Sequence, residues 1–426
     1  MNITVIGAGY VGLVVACCLA SSGNRVICVE TDRDKLAILG QGKAPIREEG
    51  IDELLSSCLQ NGSLSFQHRI PRPLVSELAI VAVGTPSLPD GATDLSAVHE
   101  VVKGLRDAST GKLTLLMKST VPPGTGIRLI RRYLDGTEIS YVSNPEFLRE
   151  GQAVKDWYYP SRIVIGTNEA ETADRVRRLY EGIDAPKLIT GITSAETIKY
   201  AANAFLATKI SFINEIANLC EVVGARVDDV SRGIGLDPRI GPDFLNAGLG
   251  YGGSCFPKDT RALNLSALSN GYDFRLLKST IEVNGKQAIM AVRKMHSLLN
   301  GLDGRDIALL GLSFKPDTDD IRESPALNIA SLLCEHDVRL RVYDPVAMAN
   351  ARPFLREEVI MSPDLYSAIE GAQGVILATD WSEFVKADWA RIKKSMTVPH
   401  VIFDGRNALP QEEIENLGFR YSGTGR

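Results

Sequence analysis

Residues 3–12 read Ile3-Thr4-Val5-Ile6-Gly7-Ala8-Gly9-Tyr10-Val11-Gly12, and eighteen residues after Gly12 a second apolar run that begins at Arg25 ends in Glu30. The first four residues predict a strand, and the apolar stretch after the glycines predicts a helix. Gly7 allows the tight turn between them, Gly9 lets the backbone approach a pyrophosphate, and Gly12 lets the helix pack close to the strand. The free N–H groups of such a helix start, including those of Tyr10 and Val11, hold phosphate charge. Glu30 stands where a carboxylate accepts hydrogen bonds from ribose hydroxyls and repels a 2′-phosphate, so the spacing predicts a dinucleotide site for NAD, with Arg33 keeping NADP as the alternative. A glycine turn that merely packs a helix onto a sheet is the plainer reading, and the strand-turn-helix-strand context disfavours it.

Outward from this motif, β-rich runs alternate with helical stretches: Ile3–Gly7, Arg25–Glu30, Leu78–Gly84, Leu113–Lys118, Ile139–Val142 and Ile163–Thr167. Such alternation predicts βαβ units and a mainly parallel sheet. Thr193-Ser194-Ala195-Glu196 has the pattern of a capping box, with Thr193 as N-cap and Glu196 as its reciprocal partner, and it opens a helix that stops near Gly224. Helical sequence continues to about residue 297. From Asp306 a second α/β pattern, with strands Ile307–Gly311, Val338–Tyr343, Gly374–Ala378 and Val401–Phe403, echoes the first without its phosphate loop. The predicted class is α/β: two Rossmann-like doubly wound domains, residues 1–192 and 299–426, joined by a long central helix and a helical region over 193–298.

Composition narrows the function. The 426 residues are 44% hydrophobic and 23% charged with a net charge of -5, and no basic stripe offers a footprint for nucleic acid. The N-terminus has no basic leader, and apolar runs such as Leu13–Ala20 are too short to span a bilayer, so the expectation is a cytoplasmic protein that does not enter a membrane. Seven cysteines without CxxC or Cys/His spacing argue against both a disulfide framework and a metal site. Cys17, Cys18, Cys28, Cys220 and Cys334 lie in apolar patterns and read as small core residues.

Cys255 differs. It sits in Phe244-Leu245-Asn246-Ala247-Gly248-Leu249-Gly250-Tyr251-Gly252-Gly253-Ser254-Cys255-Phe256-Pro257-Lys258-Asp259, where four glycines precede a thiol followed by a lysine and an acid. Nearby positive charge or aligned N–H groups favour the thiolate, which makes Cys255 a candidate nucleophile that Asp259 could orient; a buried structural thiol is the alternative. Lys199 and Asn203, four apart on the predicted helix, share a face and could stabilise a developing oxyanion, although periodicity alone favours solvated helix polarity. Asn144-Pro145-Glu146-Phe147-Leu148-Arg149-Glu150-Gly151 follows a strand and supplies two carboxylates, one of which could act as base toward water. Thr85 in Gly84-Thr85-Pro86 and Thr120 in Ser119-Thr120-Val121-Pro122-Pro123-Gly124 end further strands, where open sheets bind ligands; a cap on the following turn is an equal reading.

Together these segments resemble the UDP-glucose/GDP-mannose dehydrogenases, most closely the branch that oxidises UDP-glucose at C6. The resemblance runs from Met1 to Asn407 through GAGYVG at 7–12, VGTP at 83–86, KSTVPPGT at 118–125, NPEFLREG at 144–151, then KYAANAFLA, GYGGSCFPKD, FKPDTDDIRESP and DGRN. It implies that Cys255 is the nucleophile, that Lys199 and Asn203 stabilise oxyanions, that Asp259 supports the thiol, and that Thr120, Glu146 and Glu150 handle water and protons. It implies Lys35, Thr85, Thr120, Glu150, Lys258 and Arg322 near NAD. It places the UDP-sugar on Glu146, Phe147, Leu148, Arg149 and Glu150, on Phe244 to Gly248, on Lys199 and Asn203, and on Gly252, Phe314, Lys315 and Arg406. Arg239 looks like the family arginine that reaches the substrate of a neighbouring subunit, which implies a homodimer built on the central helical region. The implied reaction is a four-electron oxidation of UDP-glucose through a thiohemiacetal and a thioester on Cys255.

Three rival readings remain. An enzyme acting on GDP-mannose or a UDP-N-acetylhexosamine would keep the same cysteine chemistry. A β-hydroxyacid dehydrogenase would need neither Cys255 nor the C-terminal α/β region, and a non-catalytic nucleotide-sugar-binding protein would not need the full set Cys255, Lys199, Asn203 and Asp259.

Overall fold

Ile-Thr-Val-Ile at 3–6 and Leu-Ala-Ile-Val at 78–81 carry no alternation of polar and apolar residues, so they suit only strands covered on both faces. The computed structural model, which describes Met1 to Arg426, pairs them side by side inside an eight-stranded sheet. Its strands are β1 (Asn2–Ile6), β2 (Arg25–Val29), β3 (Leu64–Gln67), β4 (Leu78–Val81), β5 (Leu113–Met117), β6 (Ile139–Ser143), β7 (Ile163–Gly166) and β8 (Lys187–Thr190), in the order β3-β2-β1-β4-β5-β6-β7-β8. All neighbours are parallel except β6 and β7. Helices Tyr10–Ser21 and Ile51–Gln60 cover one face through Leu13, Val14, Leu55 and Cys58, and Ser96–Ala108 covers the other through Val98, Val102 and Leu105.

A second, six-stranded sheet comprises β9 (Asp306–Leu310), β10 (Arg339–Tyr343), β11 (Ile360–Met361), β12 (Gly374–Leu377), β13 (Val401–Asp404) and β14 (Arg420–Gly423), all parallel, in the order β11-β10-β9-β12-β13-β14. The strand order reverses after β1 in one sheet and after β9 in the other, which leaves a crevice at the strand carboxyl ends. Both predicted doubly wound patterns are therefore present. The two switch points are built alike. Gly7 and Gly311 follow the central strands at φ +98° and +91°, and their N–H groups bond Val29 O and Tyr343 O at 2.8 Å in each case. A Cβ on Gly7 would lie 2.7 Å from Ala82 O, and one on Gly311 would lie 2.4 Å from Thr379 Cβ, so neither position tolerates a side chain.

The chain packs as two compact units, Met1–Ala202 with Leu265–Asn270, and Asn203–Asn264 with Gly271–Arg426. The long helix is present as Ile192–Val223, followed by helices Val227–Gly235, Phe256–Ser269 and Arg275–Leu299. Residues 236–255 interrupt the helical run. The predicted capping box is not formed. The helix begins at Ile192, one residue before Thr193, and the buried Glu196 carboxylate instead accepts the N–H groups of Gly124 at 2.6 Å and Gly126 at 2.7 Å. Glycines 124 and 126 lie at the start of a short helix, whose first N–H groups have no intrahelical partner and take the carboxylate.

Burial pushes the Glu196 carboxyl up to about 7, against the lowering effect of those two N–H groups. A carboxyl whose pKa is higher folded than unfolded adds stability below its unfolded value and loses it as pH rises through the folded one. The melting temperature of the protein, taken relative to that of Glu196→Gln, should therefore fall between pH 5 and pH 8. Thermal unfolding of both proteins across that range checks this, and a constant difference would contradict it.

Candidate active site

The glycine turn after β1 has the shape that a dinucleotide requires. Gly9 is the N-cap of helix Tyr10–Ser21, with extended backbone and no side-chain cap, and a Cβ placed on it would meet nothing within 4 Å. A Cβ on Gly12, by contrast, would lie 1.8 Å from Gly7 O. One glycine thus leaves an open face over unpaired helix N–H groups, and the other brings helix and turn together. Glu30 takes Ala8 N–H at 3.1 Å and Asp32 N–H at 3.0 Å, which fixes its carboxylate at the end of β2. Lys35, half-buried in the next helix, has its backbone N–H capped by Asp32. Tyr10 bonds through its hydroxyl to Glu48 and Gly151 N, and Glu48 also accepts Gly151 N–H at 2.8 Å, so the glycine turn is tied to the loop that carries Glu150. Val11 is half-buried beside it.

At the ends of β4 and β5 the hydroxyl of Thr85 donates to Thr120 O at 3.0 Å. It therefore joins two loops instead of capping its own turn. Past β6, Glu146 is buried, accepts Leu148 N–H at 2.6 Å and forms an ion pair with Lys199 at 3.0 Å. Lys199 is only 4% exposed, so the solvated reading favoured by periodicity fails for it. Phe147 lies beneath two cations: Lys199 Nζ is 5.3 Å and Arg162 Cζ 3.5 Å from its ring centre. Arg149 is exposed and bidentate with Asp156, and Glu150 is half-buried.

Behind this group lies Lys118, whose importance sequence reasoning missed. Its ammonium is buried at the end of β5, donating to Asn144 Oδ1 at 2.7 Å and Tyr180 OH at 2.8 Å, and burial pushes it down to about 7. A lysine that ends the apolar run Leu-Thr-Leu-Leu-Met was the available signal.

Cys255 is the N-cap of helix Phe256–Ser269, since Asp259 N–H donates to its carbonyl at 2.8 Å. Its half-buried Sγ lies 3.4 Å from Ser254 Oγ at the positive end of the helix, a place that favours an anion. The other cysteines are buried, except Cys334, which caps the C-terminus of helix Pro325–Leu333 and is half-buried. Asp259 is 1% exposed, with Asn203 Nδ2 at 2.6 Å on one oxygen and Lys258 Nζ at 2.5 Å on the other. Asn203 is buried as well, so the solvated reading fails for it too.

The rest of the glycine segment is shaped by close approach. A Cβ on Gly252 would lie 2.4 Å from Glu323 O, and one on Gly253 would lie 2.8 Å from the Phe314 ring. Leu245 and Ala247 pack into a core with Ile213, Ala217 and Val227, which leaves only their backbone for a ligand, whereas Phe244 and Asn246 face outward. Gly248 N–H donates to the buried Asn214 at 2.8 Å. Lys315 is half-buried with its ammonium 5.4 Å from the Phe314 ring, and Arg406 is held by Asp380 at 3.0 Å. Arg322 accepts Gly253 N–H at 2.8 Å through its carbonyl, beside the Cys255 segment, while its exposed side chain pairs with Asp320 at 2.7 Å; Arg239 is 88% exposed and paired with Asp237 at 2.6 Å. No helix is long and apolar enough to cross a membrane.

The sequence matches three successive profiles described as the NAD binding domain, central domain and UDP binding domain of the UDP-glucose/GDP-mannose dehydrogenase family, over residues 1–184, 193–286 and 308–411. The chain belongs to this family. Similar relatives include a UDP-glucose 6-dehydrogenase of Bacillus subtilis, 44% identical over 100% of this chain and 98% of its own, and one of Rhizobium meliloti, 44% identical over 100% of both. The solved UDP-glucose dehydrogenase of Pyrobaculum islandicum has a TM-score of 0.92 at 37% identity, covering 100% of this chain and 97% of that one. A UDP-D-ManNAc dehydrogenase of Pyrococcus horikoshii has a TM-score of 0.88 at 29% identity, covering 100% and 99%. As in its relatives, the first domain of this family member uses NAD, and the open face over Gly9 with the carboxylate of Glu30 fits that cofactor.

The buried Glu146–Lys199 pair should behave as a unit. Removing one partner strands the other charge, so Glu146→Gln and Lys199→Met should each lower stability by ~3 kcal/mol. The double variant should lose clearly less than the sum, because it leaves no unpaired charge. Denaturant unfolding of the four proteins measures the coupling, and additive losses would show that the pair does not act together.

Proposed function

We propose that this family member is an NAD-dependent UDP-glucose 6-dehydrogenase that converts the C6 alcohol of UDP-glucose to a carboxylate through covalent catalysis by Cys255. The observation that carries this reading is the half-buried thiol at a helix N-terminus, one turn before a carboxylate gripped by Asn203 and Lys258, in a chain whose whole length is similar to UDP-glucose 6-dehydrogenases. Higher identity to those enzymes than to the UDP-D-ManNAc dehydrogenase favours glucose as the sugar.

NAD, when bound, supplies the oxidising power for two successive two-electron steps. Between them the Cys255 thiolate bonds to C6 of the aldehyde, giving a thiohemiacetal whose oxygen is stabilised by Lys199 and Asn203. After the second oxidation C6 is a thioester. Water, oriented by Thr120 and deprotonated by Glu150 or Glu146, attacks it, the C–S bond breaks, and Cys255 recovers its thiol as the carboxylate leaves. Asp259 keeps Asn203 and Lys258 in place around the thiol. Glu30, Lys35, Thr85, Lys258 and Arg322 serve NAD beside the turn of Gly7 to Gly12. Phe147 to Glu150, the backbone of Phe244 to Gly248, Gly252, Phe314, Lys315 and Arg406 hold the UDP-sugar.

The three-part division into residues 1–192, 193–298 and 299–426 goes with these roles, and the natural setting of the reaction is the cytoplasm. We also read the protein as a homodimer. Phe205, Phe212 and Leu219, seven residues apart on helix Ile192–Val223, are exposed on one stripe of that helix, which supports association through it. The exposed Arg239 supports a contribution to a partner's substrate site.

Complete oxidation in the presence of excess NAD should yield two NADH per UDP-glucose, with other nucleotide sugars turned over poorly. Cys255→Ser should still bind UDP-glucose and NAD but fail to complete turnover. One NADH per sugar from the intact protein, or steady turnover by Cys255→Ser, would overturn the reading.

A further inference from the structure

The nucleophile assigned above closes an irregular, glycine-rich segment, and such a segment has little stiffness of its own. Besides Asn214 at Gly248 and the carbonyl of Arg322 at Gly253, one further side chain grips it close to the thiol. Asn284, on helix Arg275–Leu299, accepts the N–H of Tyr251 at 2.7 Å through Oδ1 and donates through Nδ2 to the carbonyl of the same residue at 3.0 Å. One amide thus pairs with both polar groups of one residue, as a neighbouring strand would. The pairing requires Gly250, whose φ is +93° and whose absent Cβ would stand 2.4 Å from Asn284 Oδ1.

Tyr251 transmits that hold. Its ring meets Phe256 edge-on at 6.0 Å, and Phe244 closes on the same ring from another side at 6.2 Å, so the residue next to Cys255 is clasped between two aromatics. A cavity of about 140 Å³, lined by Tyr251, Pro257, Thr260, Arg261, Asn284 and Glu323, leaves room into which the segment could relax. The two Asn284 bonds fasten the backbone of Tyr251 beside that cavity.

We propose that Asn284 is a positioning residue for Cys255, fixing the backbone of Tyr251 and thereby holding the thiol at the start of helix Phe256–Ser269. The inference rests on the reading of Cys255 as nucleophile. Asn284→Asp keeps the size and the acceptor but loses the donor and faces Tyr251 O with a second oxygen, while Asn284→Ala loses both bonds.

The experiment compares the full-length protein with Asn284→Asp, Asn284→Ala and Cys255→Ser. It measures steady-state kinetics, melting temperature, and the iodoacetamide alkylation rate followed at the Cys255 peptide. Displacement of a reacting group by about an ångström costs on the order of a hundredfold. Both Asn284 variants should therefore lose ~10- to 100-fold in kcat with the KM for NAD unchanged, and Cys255 should be alkylated several times more slowly at fixed pH. Should Asn284→Ala fail to fold, the near-isosteric Asn284→Asp carries the test. Wild-type kcat in a folded Asn284 variant, or alkylation as fast as in the wild type, overturns the positioning role. A lowered melting temperature with unchanged kcat would reduce Asn284 to a structural residue. If instead Cys255→Ser retains full turnover, it is the nucleophile reading that fails.

Discussion

A carboxylate sealed from water is tolerated only where other groups replace its hydration, and Asp259 depends on two of them. Asn203 supplies a neutral donor from the long helix and Lys258 a cation from the adjacent position. That arrangement fixes the first turn of helix Phe256–Ser269 against Asn203, and the first turn carries Cys255. Glycines upstream then have to be glycines, because the segment reaches the helix by passing under Glu323 O and the Phe314 ring, with no room for a Cβ at 252 or 253. The loop's composition follows from where the carboxylate is held.

The features legible in the sequence are those enforced by short-range covalent geometry. A strand followed by GxGxxG can be read because each glycine answers to a contact within a few residues or to the neighbouring strand. Cys255 stood out because its neighbours, not the thiol, were unusual. Lys199 and Asn203 show the opposite case: spacing put them on one face, but nothing local reveals that the face is buried. Their partners Glu146 and Asp259 lie 53 and 56 residues away in the chain, and only tertiary structure turns ordinary helix polarity into two buried polar contacts. Glu48 and Asn284 escaped for the same reason, whereas Lys118 carried a local signal at the end of its apolar strand.

The four strands without a recognisable signature, β3, β8, β11 and β14, are the four sheet edges. An edge strand is paired on one side and partly solvated, so it has no need of the continuous apolar run that marks β1, β4 or β12. Leu-Ser-Phe-Gln and Lys-Leu-Ile-Thr accordingly are four-residue mixtures of polar and apolar side chains, too short to stand out. Glu196 misled in a related way. The spacing from Thr193 is right for a capping box, yet two N–H groups seventy residues upstream in the chain bind the carboxylate instead.

The likeness of the two sheets explains their difference in use. Each has a glycine of positive φ after its central strand and an acid at the end of the next strand, Glu30 in one and Asp344 in the other. Glu30 takes a single N–H of the turn, at Ala8, and the helix start beyond it stays open to a phosphate. Asp344 is buried and takes the N–H groups of Leu312 and Ser313, the Ser313 hydroxyl and the Trp381 indole on one oxygen, and those of Val346 and Ala347 on the other. A carboxylate of the chain itself thus occupies the N–H groups that follow the glycine, and no helix begins until Pro325. The loop from Gly311 is thereby fixed from within, and Phe314 and Lys315 are left as the side chains it presents. One fold, used twice, becomes a dinucleotide cradle where the acid leaves the amides free and a scaffold for a different nucleotide where the acid consumes them.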